Sequence, residues 1–142
     1  MSLSMFSVGR DTQLVVIGPT GRVDLTHVTS FDSRQITQSV RIDRMDGTHI
    51  GTELPKGWEG NFEIERGSSS VDDFIAATEQ QYFSGRSITP GTMYQYVTEP
   101  DGSTSTYQYD NVNFKLTNAG VWKGDNSVRQ KLEFFAVRRR RI

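Results

Sequence analysis

Residues 57–66 read GWEGNFEIER, and the two parities separate: Trp58, Gly60, Phe62 and Ile64 on one, Glu59, Asn61, Glu63 and Glu65 on the other. Alternation sustained over ten residues marks a β-strand, because successive side chains of a strand point to opposite faces. One face is aromatic and needs a cover, while the other carries three carboxylates and needs water. Upstream, the polar stretch 28–43 lacks Gly and Pro, and its second half places Ile36, Val40 and Ile42 against Thr37, Ser39, Arg41 and Asp43. That is a second alternating strand. Between the two, residues 44–56 (RMDGTHIGTELPK) hold two Gly and a Pro with no sustained period, so they read as an extended loop.

Working outward, residues 14–17 and 22–25 flank Gly18-Pro19-Thr20-Gly21 as a first hairpin. A second hairpin pairs 93–98 with 103–110 around Glu99-Pro100-Asp101-Gly102. Tyr107 and Tyr109 are odd-numbered whereas Val112, Phe114 and Leu116 are even, so the parity slip at Asp110-Asn111 predicts a bulge or corner. After a connection over 117–127, residues 128–138 form the last strand, apolar on both parities through Leu132, Phe134, Phe135, Ala136 and Val137. Such a strand is central or is covered by a neighbouring subunit.

One helix interrupts the strands. Ser70 and Asp73 have the spacing of a capping signal, Asp72 and Asp73 suit the positive end of the helix dipole, and Gly85 ends a segment of about 70–83. Val71, Phe74, Ile75, Thr78 and Tyr82 follow a helical stripe that needs a sheet beneath it. Val, Ile and Thr total 34 residues against 10 Ala and Leu, which again favours pleated structure. The fold class is therefore mainly β: a small barrel or sandwich with one flanking helix, residues 1–142 forming a single domain.

Composition narrows the function. With Tyr dropped and Gly added, the apolar share is about 40%, below the ~45–50% of an ordinary globular chain, which suggests that partners complete the burial. No cysteine means no disulfide scaffold, thiol nucleophile or Cys-ligated metal. Residues 1–10 lack the pattern of a signal peptide, and no apolar run reaches membrane-spanning length, so no membrane anchor is expected. The net charge is −1, yet Arg138, Arg139, Arg140 and Arg141 supply four of 16 cations; the other 12 against 17 carboxylates leave −5. Residues 43–79 hold nine acidic and three basic side chains, a segregation that points to geometry.

Candidate chemistry is sparse. His27 and His49 sit in no metal-ligand spacing, and Asp43, Asp46 and His49 form an ordinary Asp/Gly loop set, so neither a metal nor a cofactor is expected. Glu59, Glu63 and Glu65 share one strand face and cannot oppose each other across a substrate, which argues against a glycosidase and against an enzyme generally. The arginine run beside Tyr94, Tyr96, Tyr107 and Tyr109 admits a monomeric barrel that binds single-stranded nucleic acid. Against that, the remainder of the chain is acidic.

The succession of pieces resembles a family. Residues 44–66 (RMDGTHIGTELPKGWEGNFEIER), the helix over 71–85 and residues 107–137, with VWKGDNSVRQKLEFFAV, resemble bacteriophage tail tube proteins over about two-thirds of the chain. The inner-tube proteins of type VI secretion systems and contractile bacteriocins are similar. The resemblance, closer to contractile tails, implies sixfold homo-hexamer rings that stack into a hollow conduit for DNA. It implies tail sheath, baseplate and tail terminator proteins as partners, DNA passing through the lumen without specific binding, and a virion tail location after synthesis in the host cytoplasm.

Placed on that expectation, Thr37, Ser39, Arg41, Asp43, Glu59, Asn61, Glu63 and Glu65 line the lumen as a negative wall, and Arg44, Asp46, Gly47, His49, Glu53 and Lys56 form an inter-ring loop. Val128, Leu132, Phe134, Phe135, Val137 and the four arginines 138–141 make the subunit interface, and Asp72, Asp73 and Glu79 lie on an outward helix face.

Overall fold

The long alternating runs form long strands. The computed structural model describes residues 6–142 except Thr20, Asp24 and Thr26, so residues 1–5, Thr20 of the first turn and Asp24 after it lie outside the described residues. Strands β1 (Thr12–Gly18) and β2 (Gly21–Val23) make the first hairpin, followed by β3 (Val28–Asp43) and β4 (His49–Glu65). Helix α1 (Ser70–Phe83) comes next, then β5 (Gly91–Thr98), β6 (Thr104–Asn118), β7 (Arg129–Ala136) and β8 (Arg138–Arg141). All pairings are antiparallel, in the order β2-β1-β5-β6-β7-β4-β3, with β8 beside β6.

This path folds into two layers because β6 turns a corner. Its first half pairs β5 and β8, and its second half pairs β7. The bend is the bulge that the parity slip predicts: the β5 register shifts between Gly91 and Met93, opposite Asp110 and Asn111, and Asn111 has φ +50°. An extra residue in one strand increases local twist and redirects the side chains that follow. The partner strand bends with it at Val137, whose N–H donates to the Asp110 carbonyl.

Between the layers lies one aromatic core. Tyr109 is fully buried, meets Phe134 at 5.5 Å and Trp58 and Phe31 at 6.4 Å edge-on, and Phe31 stacks on Phe134. Its hydroxyl donates to Gln95 Oε1 of β5 at 3.3 Å and lies 3.1 Å from the Ser33 hydroxyl of β3, joining the layers by the polar contacts a buried phenol requires. The sheet does not close. Beside the seam between β1 and β3 is an open cleft of about 560 Å3 lined by Thr12, Leu14, Val28, Phe31 and Gln95.

Helix α1 covers one end of this core. Val71 and Phe74 are buried, and Phe74 meets Phe114 edge-on at 5.6 Å and lies over Gly18, where any Cβ would strike its ring. Two expectations for the helix need correction. Tyr82, placed on the packed stripe, is 62% exposed, because the sheet beneath ends before the last turn is covered. Asp72, placed outward, accepts from Arg66 Nε at 3.0 Å and from Gln130 Nε2 at 2.8 Å, tying the helix to β7; Asp73 and Glu79 are exposed.

The segment 44–56 also differs from the expected loop. Only residues 44–48 turn, with Gly47 at φ +89°, and β4 starts at His49. Residues 36–57 thus form a two-stranded arm that extends beyond the sheet by roughly 25 Å at strand rise. Phe74→Ala is expected to cost roughly 3–5 kcal/mol, since the cavity beside Phe114 and Gly18 is walled by sheet backbone and cannot collapse. Urea denaturation measures this as a lower midpoint with an unchanged slope.

Candidate functional site

Three surfaces carry the unusual features of the described residues. The first is the arm. Directly paired residues of an antiparallel ladder share a face. The pairs Thr37↔Pro55, Ser39↔Glu53, Arg41↔Gly51 and Asp43↔His49 therefore make a polar face, and Gln38↔Leu54, Val40↔Thr52 and Ile42↔Ile50 make a largely apolar one. The polar face is knit together: Thr37 and Ser39 hydroxyls donate to Glu53 at 2.8 and 2.6 Å, and His49 Nδ1 lies 2.6 Å from Asp43. The two hydroxyls hold the Glu53 carboxyl below its ordinary range, and Thr48 does the same for Asp46. The apolar face has no cover, with Ile42 55% and Leu54 41% exposed.

The second surface is the outward face of β3, β4, β7 and β6. Arg34↔Glu59, Asp32↔Asn61 and Ser30↔Glu63 pair across β3 and β4, and Glu59, Asn61, Glu63 and Glu65 pair with Phe135, Glu133, Lys131 and Arg129 of β7. Lys115 of β6 stands beside Glu133. Arg34 Nε reaches Glu59 at 3.2 Å and Arg129 Nε reaches Glu65 at 3.4 Å. The face is of mixed sign, so the three glutamates do not form the bare acidic wall expected from their own strand; the compensating cations come from strands remote in sequence.

The register also divides the expected lumen set. Lys56 is an extra residue opposite Ile36 and Thr37, and Gly57 takes φ +129°, so parity inverts between Glu53 and Glu59. Thr37, Ser39, Arg41 and Asp43 share a face with Glu53, while Glu59, Asn61, Glu63 and Glu65 lie on the opposite face of the β3–β4 ribbon. Arg44, Asp46 and Gly47 are at the arm's tip, and His49, Glu53 and Lys56 run along its second strand.

The third surface is β8 with the end of β7. Strand β7 is not apolar on both faces: Gln130, Leu132, Phe134 and Ala136 are buried, whereas Arg129, Glu133 and Phe135 are exposed. Leu132 and Phe134, assigned to a subunit interface, lie in this chain's own core because the opposing layer reaches them; Val128 is half-buried, and Phe135 and Val137 are exposed. The four arginines are likewise not a free tail, since they ladder with residues 107–110 of β6. Arg140 grips Asp110 through Nε at 2.7 Å and Nη2 at 3.1 Å, and Arg141 reaches Ser105 at 3.4 Å. Arg138 is exposed, and Arg139 lies over the aromatic rings of Tyr107, Trp58 and Tyr109. Among the described residues, no three His, Asp or Glu gather as a metal-binding group, and no helix is long and apolar enough to cross a membrane.

No family model matches the chain, and no curated protein does. Among solved structures, a chain from the anti-feeding prophage tube-terminating cap superposes on 100% of this chain and 94% of its own length, with TM-score 0.65 and 10% identity. Chains from the sheath/tube terminator and from the sheath–tube complex of the extracellular contractile injection system PVC, both in the extended state, each cover 92% of this chain. They match over 93% and 88% of their own lengths, both with TM-score 0.61 and 10% identity. The fold is thus shared with structural components of contractile injection particles.

The Arg140 fork generates a pH prediction. It holds the Asp110 carboxyl below its usual value near 3.8, so the pair's contribution is complete above that value and is lost as the pH falls through and below it. Asp110→Ala is expected to cost about 1–2 kcal/mol at pH 7, a partly exposed charge-assisted pair. Urea midpoints of parent and variant should draw together progressively as the pH is lowered below 3.8.

Proposed function

We propose that this chain is a structural subunit of a bacteriophage tail of the contractile type. It forms sixfold rings that stack into a hollow tube through which DNA passes, within a particle that also holds sheath, baseplate and terminator proteins. The observation that carries this reading is the set of unsatisfied strand edges and the bare arm. Among the described residues, strand β3 pairs only β4, and β6 beyond Val112 pairs only β7, so each leaves one ladder edge open. Long open edges are templates for pairing, and a head-to-tail contact repeated around an axis satisfies all of them by closure. Adjacent copies would continue the sheet from the β3 edge of one to the β6 edge of the next, and the arm would lay Ile42, Ile50 and Leu54 on a neighbouring copy.

In this arrangement the charged outward face of β3, β4, β7 and β6 turns to the bore. Glutamates alternate there with Arg34, Lys115, Arg129 and Lys131, so passing phosphates meet a nearly balanced wall within a Debye length of about 8–10 Å. DNA is neither gripped nor strongly repelled, which supports passage without specific binding. Of the arginines that would serve a single-strand-binding barrel, Arg140 is committed to Asp110 within the chain. Likeness to a tube-terminating cap favours a second reading, a terminal ring on which no further ring stacks.

The test is sedimentation velocity with negative-stain microscopy of the purified protein. Hollow filaments are expected for a tube subunit, single rings for a terminal ring, and a concentration-independent monomer of 16.0 kDa contradicts both. The paired substitution Ile42→Asp and Leu54→Asp should leave the monomer's stability within about 0.5 kcal/mol, because both sites are exposed, and should abolish assembly. Thermal melts and sedimentation check the two halves of that expectation.

A further inference from the structure

Arg139 is held differently from its neighbours in β8. The register sets it opposite Tyr109 on the inward side of the ladder. Its guanidinium carbon lies 3.8 Å from the centroid of the Tyr107 ring, 4.8 Å from Trp58 and 5.7 Å from Tyr109. Aromatic faces attract a cation but accept none of its N–H groups in the plane of the guanidinium. The Nε of Arg139 is buried without a hydrogen-bond partner, which leaves the Nη end of the guanidinium as the part a second molecule can reach, and the side chain makes no ion pair among the described residues. A half-buried arginine ordinarily has a carboxylate, since a buried charge left unpaired is costly. One residue on, Arg140 uses its Nε and one Nη as a fork on the two oxygens of Asp110.

We propose that Arg139, clamped by Tyr107 and Trp58, is a receptor for a carboxylate side chain of a second copy of this chain. The inference rests on the assembly reading above and adds to it the polar contact that fixes one copy on the next. Two observations favour a second copy. Among the described residues, the edge of β8 away from β6 carries no ladder, so the receptor borders an open strand edge. The chain apart from arginines 138–141 has 12 cations against 17 carboxylates, so the remainder of another copy carries an excess of negative charge that complements a cation. The aromatic rings fix the guanidinium plane before the carboxylate arrives, and a bidentate partner needs that preorganisation.

The test compares parent, R139L and R139K by sedimentation velocity and thermal melting. R139L keeps the apolar contacts and removes the charge. The expected result is an unchanged melting midpoint with at least a tenfold higher concentration needed for assembly. R139L that assembles as the parent does overturns the receptor while leaving the assembly reading intact; a parent that stays monomeric at every concentration overturns both. Should R139L fail to fold, R139K is mixed as light and 15N-labelled copies and treated with a zero-length carbodiimide. A cross-link from position 139 to an Asp or Glu of the other isotopic copy is expected, and links confined to one copy overturn the proposal. Binding of a labelled single-stranded oligonucleotide by the parent that R139L abolishes also overturns it, in favour of a phosphate ligand.

Discussion

The corner in β6 is the feature on which the rest of the molecule depends. One extra residue at Asp110-Asn111, with Asn111 in the left-handed region, turns a single strand from one layer into the other. Without that turn β5 and β4 would lie in one flat sheet, and Tyr109, Phe134 and Phe31 would have no opposing layer to meet. The corner is braced from both sides: Arg140 holds the Asp110 carboxylate, and the Val137 N–H holds its carbonyl. A basic segment that looks like a loose tail is therefore part of the brace. Backbone in a sparsely populated conformation persists where surrounding contacts over-determine it.

An open sheet built this way leaves backbone groups at its two ends that water satisfies in a monomer and that other copies can satisfy in an assembly. Proteins that remain monomeric blunt such edges with short strands, charges or covering loops. Here β3 runs for 16 residues, and beyond Ile36 the ribbon leaves its own core altogether. The low apolar content has the same explanation, because residues that would fill a larger internal core stand on the arm instead.

Local chemistry made much of this legible in the sequence. The alternation in 57–66, the stripe over 70–83, the Pro-Asp-Gly hairpin and the parity slip at Asp110-Asn111 each depend on near neighbours, and each element is present. The second strand of the arm, residues 49–56, was not legible as strand. Both of its faces are solvent-exposed, so burial imposes no clear period, and Gly51 and Pro55 dilute strand propensity; the Thr and Ile residues of 48–54 were the signal available. The bulge at Lys56 inverts parity, so the polar sets before and after it could not be joined by counting. Long-range partners decide the remainder. Nothing near Glu63 predicts Lys131 beside it, and nothing near Arg139 predicts a clamp by Trp58.

The central claim is that strand edges left open in one copy are closed by the next, with the face of Glu59, Lys131 and Glu133 turned to a bore. A cryo-electron microscopy reconstruction of the assembled protein measures this directly. The account predicts a sixfold ring in which the β3 edge of one copy is hydrogen-bonded to the β6 edge of its neighbour, with those three side chains lining the channel. A ring whose bore is lined instead by the opposite layer, with the β3 edge left in solvent, would contradict it.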